Sequence, residues 1–293
     1  MDLRPKHRDK YPAFSNGNYI EEHFYEFWQK QQFAEKSQFE YIDIFWNCLF
    51  HQVGVEQTVN HVKQMVIDRC TLARDHGKVV FTICQWDDNI CFGQDKPSNL
   101  IVYSSCHYED VILPLNAEDV TQKLIGMPRK SFNEKDILCS FVGCYTHEVR
   151  IKTKESLDGK PGFSFVINGW SNPITEEASS ALVNLTLRSK FGLAPRGYGV
   201  SSFRFFEIMQ LGTIPVYVHD GIVGLPFMDI LDYSEFAVIV HINDICTLPD
   251  ILSAIDEDRY NKMIREMEKV RLWFTMDGTC EYILQNLRSR IQN

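Results

Sequence analysis

The sequence predicts an α/β protein with mostly parallel sheets, because short β-branched runs alternate with helical stretches of roughly 10 to 15 residues through most of it. The strand-like runs are continuous rather than alternating in polarity, as in strands covered on both faces. The 293 residues, 44% hydrophobic and 24% charged, supply a large core and exclude a disordered chain. At roughly 100 to 200 residues per domain this length holds two modest domains or one large one.

Three helices are expected first, over 19–30, 40–52 and 55–70, where aromatic or aliphatic residues recur at helical spacing. The third carries Val59, Val62, Met65 and Val66 on one stripe. The runs KVVFTICQ (78–85) and NLIVYSS (99–105) read as buried parallel strands separated by the polar loop WDDNICFGQDKPS. A strand over 137–142 ends at Gly143, and a helix begins near Thr146. There follow a strand at 163–167, a helix at 175–188, a strand at 191–193, a helix at 201–211, and strands at 214–218 and 236–241. The stretch 248–291 reads as helical throughout. The polar segment PRKSFNEKD marks the domain boundary near 130–136, and the last helix, 277–291, is long enough to return to the first domain.

The net charge is −9 and no Lys/Arg run is long enough to track a phosphate backbone, so nucleic acid is an unsuitable partner. Nine scattered cysteines, without a Cys-x-x-Cys pair or zinc spacing, are read as reduced core thiols. Neither a signal peptide nor a membrane span is expected, and an unanchored, thiol-rich chain points to the cytoplasm. The oligomeric state has no signature.

Segment 191–220, FGLAPRGYGVSSFRFFEIMQLGTIPVYVHD, carries the most chemistry. A short strand leads into Pro195-Arg196-Gly197-Tyr198-Gly199, whose glycines permit the positive φ and close backbone approach of a ligand-cradling loop. Ser201 or Ser202 is placed to cap the next helix, which offers unpaired N–H groups and a positive dipole end to a diphosphate. Arg204 and Glu207 stand three apart on this otherwise apolar helix. They either pair with each other or leave Glu207 to accept hydrogen bonds from vicinal sugar hydroxyls. Gly212 ends the helix before the strand TIPVYV.

The run PRGxGxxSxRxxE, then GTIPV (212–216), LPF (225–227) and LDYSEFAV (231–238), resembles the exostosin family of inverting glycosyltransferases, glycosyltransferase family 47. SFVG followed by His147 and Arg150 is similar to the opening of that family's second domain. YPAFSNGNYIEEHF, FWNCLF and FTICQWDDNI resemble first-domain blocks of short exostosin-like proteins from microbes and large DNA viruses, which would place this one in a host cytoplasm. The strong match covers roughly 137–275.

The resemblance implies a GT-B architecture, two Rossmann-like domains facing a cleft: 1–135 on the acceptor side, 136–275 binding the donor, and a helix at 276–293. It implies transfer from a UDP-sugar, UDP-xylose among the candidates, to a glycan or glycoprotein acceptor, with no metal ion. The donor would be held by Arg150, Pro195, Arg196, Gly197, Tyr198, Gly199, Ser201, Ser202, Arg204 and Glu207. Many family members carry an N-terminal membrane anchor, which is not expected here, so the family's compartment does not carry over, and the first domain reads as short.

The departing diphosphate develops negative charge, for which Arg196, Arg150 and the amides near Ser201 and Ser202 are the candidate stabilisers. For Arg150 the competing reading is a surface helix charge. The base should come from the first domain, and Asp87 and Asp88 follow its strand 78–85 at the carboxyl end. Solvated turn residues are the alternative there, and Glu21 and Glu22 are the runners-up. Asp256-Glu257-Asp258, the one Asp-x-Asp, sits at a helix start, where acids are ordinary. His147, His219 and His241 are read as hydrogen-bonded core or rim residues, and Trp46, Trp86 and Trp170 as core rings that could stack on sugars. The competing function is a non-catalytic glycan- or nucleotide-binding module of the same fold. A phosphotransferase is weakened by the lack of a G-x-x-x-x-G-K-[ST] loop.

Overall fold

A computed structural model describes residues 1–5, 18–87, 90, 92, 95–106, 109–119, 124, 128–169 and 175–291. Two parallel sheets face one cleft, which is the GT-B arrangement. The first domain runs α1 (Ile20–Lys30), β1 (Phe39–Tyr41), α2 (Trp46–Val53), α3 (Val55–Asp75), β2 (Val79–Cys84), β3 (Leu100–Ser104) and β4 (Val111–Ile112). Its four strands lie in chain order, all parallel.

The helix expected over 40–52 is split, and a strand precedes 78–85 after all. Phe39 and Tyr41 are buried on one face while Glu40 points away to bond Arg69 Nε of α3 at 2.8 Å. That is strand alternation, but three residues are too few for period 2 to show against aromatic spacing that also suits a helix. Tyr41 stacks on Phe81 of the adjacent strand at 4.8 Å between ring centroids. The two-residue β4 left no pattern to read.

The second domain runs β5 (Ile137–Gly143), α4 (Glu148–Leu157), β6 (Phe163–Ile167), α5 (Glu176–Arg188), β7 (Ser189–Pro195), α6 (Phe203–Gln210), β8 (Ile214–His219) and β9 (Val238–His241). Its sheet has the order β6-β5-β7-β8-β9, again all parallel. Strand β7 is longer than the expected 191–193 and helix α6 shorter than 201–211.

The helical C-terminal stretch is broken into α7 (Leu248–Ser253), α8 (Glu257–Val270), a 3-10 turn and α9 (Met276–Ser289). Tyr260 and Met263 of α8 pack under the second sheet. Cys280, Ile283, Leu284 and Leu287 of α9 pack with Ile20, Phe24, Phe81 and Tyr103 of the first. Among the described cysteines Cys246 is exposed and Cys144 half-buried, so these two are not core thiols. The others described are buried.

Just ahead of β5 lies a buried cation with no carboxylate partner among the described residues. Lys135 Nζ donates to the carbonyls of Ser189 at 2.8 Å and Leu187 at 3.2 Å, and to Thr213 Oγ1 at 3.1 Å. It thereby serves carbonyls at the end of α5 that have no helical partner. Burial, reinforced by Lys130 and Arg129, pushes its pKa down to about 8. A lysine depressed in the folded state binds fewer protons there than when unfolded, so stability rises with pH between about 8 and the unfolded value. Chemical denaturation of wild type and Lys135→Met at pH 7.5 and 10 should show the wild type gaining relative to the variant, by on the order of 2–3 kcal/mol. An unchanged gap would mean that the ammonium is not the titrating group.

Candidate functional site

In the second sheet the chain passes from β5 outward to β6 and then returns to β7 on the other side of β5, which makes the carboxyl ends of β5 and β7 a topological switch point. The loops leaving these two strands must diverge, and the crevice between them is filled by Arg150 of α4. Its Nη1 donates to the carbonyl of Cys144 at 3.0 Å, just past β5. Its Nε donates to the carbonyls of Pro195 at 3.3 Å and Arg196 at 3.2 Å, at the end of β7. Its Nη2 reaches Ser202 Oγ at 3.4 Å. Arg150 is thus a half-buried brace of the switch point and not a surface charge.

No carboxylate lies within ion-pair distance of Arg150 among the described residues, and burial pushes its pKa down to about 10. Arg204 lowers it further, while the charge on Asp87 of the opposite domain raises it. Near it, Thr146 Oγ1 and Ser201 Oγ are buried without a hydrogen-bond partner among the described residues. Buried polar atoms without partners are rare, and these sit where the fold places ligands.

The turn 195–202 differs from expectation in two ways. Neither Gly197 nor Gly199 has positive φ; their value is close approach. A Cβ on Gly197 would lie 3.1 Å from Arg150 Nη2, and one on Gly199 would lie 2.3 Å from Asp87 Oδ1 across the cleft. Ser202 holds the N-cap position of α6, but its hydroxyl caps no helix N–H and meets Arg150 instead.

Arg196 is turned back on its own domain. Its Nη1 bonds both oxygens of Asp220 at 3.0 and 3.2 Å, and Nη2 donates to the carbonyl of Tyr198 at 3.0 Å, while Nε is buried without a partner among the described residues. The Asp220 carboxyl is held below its ordinary range by Arg196 against the opposing effect of burial. The Tyr198 ring stands exposed. Arg204 Nη1 and Glu207 Oε2 form the ion pair weighed for them, with Arg204 Nε buried without a partner among the described residues.

On the opposite wall, β2 ends into Gln85, Trp86 and Asp87. With Tyr19, Asn47, His51 and Leu115 of the first domain and Phe203 of the second they line a small crevice. Asn47 Oδ1 and Trp86 Nε1 are buried there without partners among the described residues. Asp87 stands half-buried against Gly199. Asp88, its companion candidate, lies outside the described residues, as does Trp170. Glu21 and Glu22 are not at a solvated helix end; both are buried, and Glu21 is 1% exposed.

The remaining candidates have structural explanations. Asp256 caps α8 by accepting from the Arg259 amide at 2.8 Å. His147 caps α4 at 3.3 Å from the Val149 amide. His219 and His241 accept from Gly221 and Asn243 amides, each at 3.1 Å. Trp46 is a core ring bonded to Thr82. Among the described residues no three His, Cys, Asp or Glu converge as a metal site, and no helix is long and apolar enough to cross a membrane. Sequence reasoning passed over Thr146, Asp220, Asn47 and Gln85. Their signal was position alone, each lying next to a strand's carboxyl end or a helix start facing the cleft.

Known proteins share this arrangement in part. A probable glycosyltransferase of Arabidopsis thaliana is 40% identical over 90 residues, 31% of this chain and 17% of the relative. The Caenorhabditis elegans exostosin-1 homolog is 28% identical over 111 residues, 37% of this chain and 29% of the relative. The matched stretch is therefore under a third of either relative's length. The sucrose-phosphate synthase of Thermosynechococcus elongatus aligns in space over 92% of this chain and 70% of its own, at 13% identity and a TM-score of 0.42. The sequence model of the Exostosin GT47 domain matches residues 74–255. That match begins well before the 137–275 of the motifs and takes in β2 with Asp87, the Arg150 brace and the turn with α6. Since more than half of the chain, including part of each wall of the cleft, is matched as one run, the chain belongs to the exostosin GT47 domain family.

Proposed function

We propose that the chain is a glycosyltransferase that passes a sugar from a UDP-linked donor to a hydroxyl of a glycan acceptor, inverting the anomeric centre and using no metal ion. The observation that carries this reading is Arg150: a half-buried guanidinium fixed by carbonyl and hydroxyl acceptors at the switch point, with no carboxylate partner among the described residues, facing an aspartate across the cleft. A largely desolvated cation wired to neutral groups is costly unless an anion completes it. A diphosphate at the switch point would do so, helped by the unpaired hydroxyls of Thr146 and Ser201 and the first turn of α6. Glu207, its rotamer held by Arg204, is the proposed acceptor for the nucleotide's ribose hydroxyls.

In the proposed step, Asp87 takes the proton from the acceptor hydroxyl as that oxygen attacks the anomeric carbon. The bond from that carbon to the diphosphate breaks, and UDP departs with the electron pair. Trp86 and Phe203 offer ring faces, and Asn47 Oδ1 and Trp86 Nε1 polar atoms without partners among the described residues, to an acceptor sugar at the mouth of the crevice. Inversion follows if base and leaving group stand on opposite walls, as Asp87 and Arg150 do.

A thermal-shift screen tests the binding half. UDP at 100 times its Kd should stabilise the protein by about 2.7 kcal/mol, with ATP giving less. An assay for UDP release, with product anomers read by NMR, tests the rest. UDP binding without turnover on any donor and acceptor would leave a binding module. Turnover abolished by EDTA and restored by manganese would overturn the metal-free part.

A further inference from the structure

Helix α2 begins without a cap of its own, since its N-cap residue is Phe45 and no side chain of that residue reaches a helix amide. The missing acceptor comes from another helix. Glu21 of α1 receives the Asn47 amide on both oxygens, at 3.1 and 3.3 Å, in the first turn of α2. The same carboxyl receives the Gln85 amide at 2.7 Å, one residue beyond the end of β2. The two clients are also tied to each other, because Asn47 Nδ2 donates to the Gln85 carbonyl. Gln85 is held from its far end as well: its side chain accepts from the Ile20 amide at 3.1 Å and donates to the Asn116 carbonyl at 2.6 Å.

Two residues of the first-domain wall, one at the start of α2 and one just past β2, are therefore anchored through one buried carboxyl. Asn47 and His51 stand on α2; Gln85, Trp86 and Asp87 follow β2. Burial of a carboxyl is expensive, and a core helix start could be capped at less cost by a serine or aspartate at its own N-cap. Placing the acceptor on α1 instead locks two elements in one register, and Asp87 is two residues from the amide so held.

We infer that Glu21 is the positioning residue of the acceptor wall, setting the place of Asp87 through the Gln85 amide and of Asn47 through the start of α2. This rests on the reading of Asp87 as base. A carboxamide offers one acceptor oxygen where the carboxylate offers two and turns an N–H toward an N–H, so Glu21→Gln should loosen the register without emptying the site.

The test uses the full chain as wild type, Glu21→Gln, Glu21→Asp, Asp87→Asn and the double variant Glu21→Gln/Asp87→Asn. Glu21→Gln should lower kcat at least tenfold while the Kd for UDP, held by the other domain, stays within twofold. Glu21→Asp, which keeps the carboxyl on a shorter arm, should recover part of that loss. The double variant should be no slower than Asp87→Asn, because the two residues act as a unit. Unchanged kcat in Glu21→Gln, or losses that multiply in the double variant, would overturn the inference. If wild type turns over no donor, the function has failed and the positioning is read alone by amide hydrogen exchange. Protection at Asn47 and Gln85 should then fall at least tenfold in Glu21→Gln, with α6 unaffected, and unchanged protection would overturn it. Should Glu21→Gln not fold, Glu21→Asp carries the same exchange and kcat comparisons.

Discussion

Arg150→Ala should lose at least a hundredfold in kcat/KM and a comparable factor in UDP affinity. The guanidinium does two jobs that no neighbour duplicates. It holds the carbonyls of Cys144, Pro195 and Arg196 in one cluster at the switch point. It also supplies a positive charge not already spent on a carboxylate among the described residues, whereas Arg196 is taken up by Asp220 and Arg204 by Glu207. Losing one preorganised donor to developing charge costs about 10²–10³ in rate. Arg150→Lys keeps the charge but not the planar fork, so it should recover UDP affinity only in part. Calorimetry with UDP and steady-state kinetics separate the two effects. An Arg150→Ala protein that folds and binds UDP as the wild type does would remove the cation from the donor site.

The second large effect is expected at the contact between Asp87 and Gly199. Asp87→Asn should lower kcat by about 10²–10⁴, the usual worth of a positioned base, and leave UDP binding intact. Gly199→Ala asks the same question from the opposite wall. Its new Cβ would lie 2.3 Å from Asp87 Oδ1 and 2.7 Å from Asp87 Cβ, which no side-chain rotation can move, so the two walls must part. A loss of kcat of about tenfold or more is expected, because the carboxylate is displaced from the opposite wall. Asp88→Asn is the control. Full activity in Asp87→Asn with loss in Asp88→Asn would move the base by one residue.

Much of the architecture was readable before any coordinates. Continuous β-branched runs such as KVVFTICQ and TIPVYV need cover on both faces, and the intervening helical patterns supply it, so parallel sheets follow from composition and order alone. What failed to show was short. Phe39–Tyr41 offers one alternation, and β4 two residues, and no periodicity can be read from either. The phosphate-like turn was legible as a string, but its working was not. Of the two uses the sequence suggests for the glycines, positive φ is absent and close approach is present, with no Cβ where Arg150 and Asp87 come near, and a serine expected to cap α6 is engaged by Arg150.

The buried acid Glu21 shows the same limit from another side. In one dimension it is one of two acids in the first turn of a helix, ordinary company for a helix dipole. Only the fold brings it to amides 26 and 64 residues away and makes it the shared cap of α2 and β2. Local pattern thus decided which segments became strands and helices and which turn could approach a ligand, because those preferences depend on neighbours in the chain. Which charges are paired, which hydroxyls are stranded and which carboxylate meets the cleft depend on contacts between segments far apart in sequence. Desolvation, which gives those contacts their weight, exists only once both sheets have closed around them.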